Sequence, residues 1–285
     1  MDSMTQQTLL AMYDVPDPAR SGAVIPGYDR DHAERTTRIV LRVAKEVGLD
    51  ARWHADLEVT CLLHDLGRAG MDPELFGRIF GAAQERGLPV RLAELQSRYP
   101  EVTEAKAVAF YTDLVAPALR ERGIELTPQV RDHIAMRMDF KGRLRRMLAE
   151  REPDLQRLGI TVKPWMETVM LYYYYPHGMD GQPGDVRLMG MLLVACENFE
   201  AYNNARRGRD YYGRQGEQLR EVFTTLEGFQ KRGMVSEQVM AALRRLTASG
   251  EFDAVMKESR GMKPADPLPQ TDVAFQRELA IAPRR

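Results

Sequence analysis

A chain of 285 residues with 44% apolar and 28% charged residues can bury a sizeable core and reads as globular. Its net charge of −1 gives no global field to draw in a nucleic-acid polymer or an anionic membrane, and no apolar run reaches the length needed to cross a bilayer. Two cysteines, Cys61 and Cys196, both lie in apolar stretches, which excludes a disulfide scaffold; with no signal-peptide pattern at the N-terminus, the expected location is the cytoplasm.

Residues 1–27 alternate weakly apolar and turn-forming stretches around Pro16, Pro18 and Pro26, and read as a leader packed on the domain with room for one short helix. From Asp31 the spacing turns helical: Ile39, Val40, Val43, Ala44 and Val47 share a face, and Gly48 ends the run. His32 falls in the first turn of this helix, with Arg35 and Arg38 beyond it. A second helix is predicted over 51–65, then a loop over 67–73 and a short helix near 74–86. The spacing of 102–122 is helical but interrupted at Pro117, and Thr127-Pro128 opens a helix over 129–150. Arg143, Arg145, Arg146 and Arg151 read as one solvated helix face, with phosphate binding the alternative. Pro164 opens a helix over 165–175 that ends in four tyrosines; these wrap all its sides, so at most two can face a pocket. The turn at 178–185 precedes a long apolar helix over 186–203. Amphipathic helices over 215–231 and 236–247 follow, and Pro264, Pro267 and Pro269 suggest a loosely held tail over 251–285. With no strand-like alternation and no internal repeat, the expected class is all-α.

The chemistry concentrates at Cys61-Leu62-Leu63-His64-Asp65-Leu66-Gly67-Arg68. An imidazole and a carboxylate side by side at the end of an apolar helix need a partner for their charge. A divalent metal supplies one, since both groups ligate Zn, Mn, Fe or Co; a helix cap with a local salt bridge is the alternative. Glu197, among Val194, Ala195, Cys196 and Phe199, is costly to bury unless paired or metal-bound. His54, about three turns before His64, is expected to be remote from such a site.

The order His…His-Asp…acid resembles the HD superfamily of metal-dependent phosphohydrolases. His32-Ala33-Glu34-Arg35 resembles the family's opening His-x-x-Arg, and residues 62–68 resemble its Leu-Leu-His-Asp-Ile-Gly-Lys signature with Arg68 in place of Lys. The likeness is closest to the HD-GYP branch. Residues 191–202, MLLVACENFEAY, align without a gap to that branch's R-I-L-A-V-A-D-V-F-D-A-L, which sets Glu197 on the metal-binding Asp and Glu200 on the second acid. Asp180-Gly181 matches the Asp-Gly of its HHExxDGxGYP motif. The resemblance covers most of residues 28–250, with an insertion around 81–117. Four features depart from the branch: Tyr175-Pro176-His177 stands where it has His-His-Glu, Pro183-Gly184-Asp185 replaces Gly-Tyr-Pro, the position of a further histidine falls near Arg137, with His133 a turn away, and Glu197 replaces the metal-binding Asp.

The resemblance therefore implies a helical HD bundle with additional C-terminal helices. It also implies one divalent ion (Mn, Fe, Co or Zn) on His32, His64, Asp65 and Glu197. Asp65 and Arg68 are expected to act in catalysis, with Arg35, His177 and Asp180 toward the substrate; pairing with a helix carboxylate is the alternative for Arg35, and a hydrogen-bonded turn the favoured alternative for His177 and Asp180. The implied activity is hydrolysis of a nucleotide or another phosphorylated small molecule; the sequence leaves open whether the chain forms a homodimer. The competing reading is a catalytically silent relative that binds a nucleotide or a partner protein as a regulator.

Overall fold

The computed structural model describes residues 1–16, 21–25, 27, 29–204 and 218–281. Among the described residues the chain is all-helical apart from one two-stranded hairpin. Helix α1 (Ser3–Ala11) leads into β1 (Val15–Pro16) and β2 (Val24–Ile25), antiparallel with Val15 opposite Ile25. Next come α2 (Arg30–Glu46), α3 (His54–Leu63) and a 3₁₀ turn at Leu66–Arg68. The middle of the chain forms α4 (Pro73–Glu85), α5 (Leu92–Arg98), α6 (Glu104–Glu121), α7 (Pro128–Met138) and α8 (Phe140–Arg157). Helix α9 (Pro164–Leu171), a turn at Pro176–Met179 and α10 (Gly184–Asn203) follow. The described part closes with α11 (Leu219–Lys231), α12 (Glu237–Ala248), α13 (Asp253–Ser259) and α14 (Gln270–Ile281). No helix among the described residues is long and apolar enough to cross a membrane.

Two apolar clusters hold these helices together. One gathers α1, α4, α6, α7 and α8 around residues such as Tyr13, Phe76, Tyr111 and Phe140. The other gathers α2 and α10 to α14 around residues such as Leu192, Phe199, Phe223 and Leu243. Each fully buried side chain of this size contributes about 1.5–3 kcal/mol. Helix α3 belongs to both: Val59, Leu62 and Leu63 face the first cluster, Leu57 and Cys61 the second. Helix α10 is buried nearly all round, so its apolar residues meet neighbours on every side. The ends of α2 and α3 and the middle of α10 thus meet on the seam between the two clusters.

The structure departs from the sequence-based expectations at several points. The helix expected over 129–150 breaks at Asp139, whose backbone leaves the helical region and whose carboxylate accepts from the Gly142 amide to start α8. Gly142 permits this, because a Cβ there would overlap that carboxylate. Pro117 lies inside α6 without ending it. Helix α5 and the hairpin had no counterpart in the sequence reading. Residues 259–281 are not loosely held either. Asp272 of α14 is buried and accepts from the Leu219 amide at 2.8 Å and from the Arg260 guanidinium, which in turn donates to Asn203 Oδ1 at 2.6 Å. The prolines bound a packed helix rather than a free tail.

Candidate metal centre

The seam brings four ligand-type side chains together. His32 stands in the first turn of α2, His64 and Asp65 directly follow the last turn of α3, and Glu197 projects from α10. One donor atom from each lies within 4.8 Å of every other, and all four residues are buried. His32 Nε2 and His64 Nε2 lie 3.8 and 3.9 Å from Asp65 Oδ2. These gaps are too long for hydrogen bonds. They match donors around one ion, which at bond lengths near 2.0–2.2 Å stand roughly 3–4 Å apart. The two imidazole rings are 5.3 Å apart between centroids and tilted by 57°.

Hydrogen bonds on the far side of each ring fix which nitrogen faces the cluster. His64 Nδ1 donates to the Cys61 carbonyl at 2.7 Å, which makes Nε2 the lone-pair nitrogen. That Nε2 is buried and has no hydrogen-bond partner, so its lone pair is available to a ligand. His32 Nδ1 pairs closely with Glu200 Oε2. The other oxygen of Glu200 accepts from Arg35 Nε at 2.6 Å and from Asn204 Nδ2 at 3.2 Å. A carboxylate behind an imidazole orients the ring and raises its basicity as a ligand. Glu197 and Glu200, three residues apart, share one face of α10.

Arg68 is buried in the same cluster. Its Nε donates to Asp29 Oδ2 at 2.8 Å and lies 3.6 Å from Asp65 Oδ2. Arg35, for which substrate contact was one expectation, is instead the partner of Glu200, with Glu258 at 3.7 Å. His177 and Asp180 are not brought to the cluster. His177 lies on the 176–179 turn and Asp180 directly after it, 3.8 Å apart, with side chains 97% and 83% exposed. His177 borders a cavity of about 660 Å³ lined by Leu92, Lys141, Arg145, Tyr174 and Tyr175; none of the four cluster residues lines it.

The remaining histidines have other work. His133 Nδ1 donates to the Gln129 carbonyl at 2.8 Å and its Nε2 accepts from the Asp72 amide at 2.9 Å, so it ties α7 to the start of α4. His54 Nε2 contacts the Leu49 carbonyl at 3.1 Å, away from the cluster as expected. Cys61 and Cys196 are free, buried thiols, and burial pushes both up. Burial also raises the Tyr174 phenol; Arg68 pulls it down and Asp65 and Glu197 push it further up, so this ring senses the cluster's charge.

Two functional contacts escaped the sequence reading. Asp29 precedes α2 without any apolar context to mark it, and only the fold brings it to Arg68. The resemblance sets Glu200 on a second family acid but gives it no partner, although an acid three residues after Glu197 in a buried helix signals a shared face. Compared with protein-family models, curated proteins and solved structures, the chain finds no match.

Proposed function

We propose that this protein is a metal-dependent phosphohydrolase of the HD type, using one divalent ion (Mn, Fe, Co or Zn) on a nucleotide or another phosphorylated small molecule. The convergence of the cluster carries this reading: ligand-type atoms of His32, His64, Asp65 and Glu197, all buried, lie within 4.8 Å of one another, and His64 Nε2 has no hydrogen-bond partner. Burying carboxylates and imidazoles at one point is costly, and a divalent cation among them offsets that cost.

His32, His64, Asp65 and Glu197 are the residues to hold it. The bound ion supplies an electrophile for a phosphate oxygen and lowers the pKa of a water. Asp65 lies between both imidazoles and Arg68, where its carboxylate orients the attacking water and takes its proton. Arg68 balances the charge that builds on the phosphoryl oxygens, and Asp29 keeps the guanidinium in place. Arg35 acts behind Glu200 rather than on the substrate. Two buried thiols without a disulfide suit a reducing, cytoplasmic setting.

Hydrolysis of p-nitrophenyl phosphate and of a nucleotide panel, with each metal added, tests the activity. Asp65→Ala is expected to lower the rate at least about 1,000-fold, since it removes a ligand and the base together. Metal binding by wild type with no hydrolysis of any phosphate ester would favour the silent, regulatory reading instead.

A further inference from the structure

Arg143 lies on α8 between Phe140 and Leu144, and its side chain is buried although its neighbours Arg145 and Arg146 are exposed. Its guanidinium donates to two main-chain carbonyls, closely to Gly67 and at 2.9 Å to Ala69. The same group is anchored on Asp132 of α7, with Nη2 at 2.8 Å from Oδ2 and Nε at 3.2 Å from Oδ1. Gly67 and Ala69 flank Arg68, and the turn they belong to follows His64 and Asp65 without a break. Phe140 closes on the turn from the same helix: a Cβ on Gly67 would stand 2.8 Å from its ring.

Burying a guanidinium costs several kcal/mol unless its donors are satisfied, whereas an apolar side chain would bind α8 to the turn without that cost. What an apolar side chain lacks is direction. A planar fork that grips two carbonyls sets the orientation of the peptide planes on either side of Arg68. We propose that Arg143 is a positioning residue for the metal cluster, holding the 67–69 backbone so that the Asp65 carboxylate and the Arg68 guanidinium share one site. This rests on the reading of the cluster as a metal centre.

Two measurements on Arg143→Met, Arg143→Lys and Asp132→Asn test it. In calorimetric titration with Mn²⁺ or Zn²⁺ alone, Arg143→Met is expected to weaken binding roughly 10–100-fold, as loss of an outer partner of a metal ligand does. Arg143→Lys rescues only in part, because one ammonium cannot grip both carbonyls. Asp132→Asn, at a half-exposed site that does not threaten folding, gives a smaller loss in the same direction. Amide exchange is the second readout and needs no metal. The Arg68 and Ala69 amides, which donate to the Asp65 and Leu66 carbonyls, are expected to exchange at least about ten-fold faster in Arg143→Met, while α12 amides keep their wild-type rates. Wild-type metal affinity in all three variants, or acceleration spread evenly over the protein, would overturn the proposal. Failure of wild type to bind metal would instead sink the metal reading, and the exchange data would still decide whether Arg143 orders the turn.

Discussion

Glu200→Ala is expected to destabilise the protein by about 3–5 kcal/mol, and to weaken metal binding about 10–100-fold even where folding is preserved. The carboxylate is the shared partner of His32 Nδ1, Arg35 Nε and Asn204 Nδ2, and all of these are buried. Its removal leaves the Arg35 charge facing alanine in the interior, with Glu258 at 3.7 Å on the rim side. The loss follows from the unpaired partner rather than from the worth of the pair itself. Arg35→Met combined with Glu200→Leu is therefore expected to recover most of the stability while metal affinity stays low. Denaturant unfolding and metal titration of the two variants separate the effects. Equal recovery of both in the double variant would contradict the role given to Glu200 behind His32.

His64→Ala is expected to abolish metal binding at micromolar concentrations, a loss exceeding the roughly 100-fold of an outer-sphere change. It removes a donor whose tautomer is already set by the Cys61 carbonyl and whose Nε2 has no other use. The stability cost is smaller than for Glu200→Ala, because no buried charge is left behind. Metal affinity of the wild type is also expected to fall as the solution is acidified. The ligands bind as neutral imidazoles and ionised carboxylates, so each bound ion displaces protons, and affinity rises with pH. Titration at several pH values checks the sign: affinity that stays flat or strengthens in acid would mean that these side chains are not the ligands.

The candidate site was legible in the sequence to the extent that its chemistry is local. His64 and Asp65 declare themselves because two polar groups close an apolar helix. His32 and Glu197 came from a pattern, and the fold brings them to the same point through the meeting of α2, α3 and α10. Asp29 could not be read, since nothing about an aspartate before a helix tells which distant arginine it will meet. Arg143 could have been. Phe140, Arg143, Leu144, Met147 and Leu148 recur at helical spacing and are all buried, but the density of arginine around them made the whole stretch look solvated. His177 and Asp180 fitted a motif whose Gly-Tyr-Pro had been replaced, and the turn that carries them points both side chains into solvent. The helical class was plain from periodicity. The break at Asp139 was not, because its one mark is Gly142, three residues on, and a single glycine inside a helical pattern does not by itself end a helix.

Metal content of the purified wild-type protein bears most directly on the central claim, that His32, His64, Asp65 and Glu197 hold one divalent ion. After removal of metal with a chelator and titration with Mn²⁺, Fe²⁺, Co²⁺ or Zn²⁺, the expected result is one equivalent bound per chain, with a rise in unfolding temperature that His64→Ala lacks. A wild-type chain that takes up none of the four ions, and whose unfolding temperature none of them moves, would contradict it.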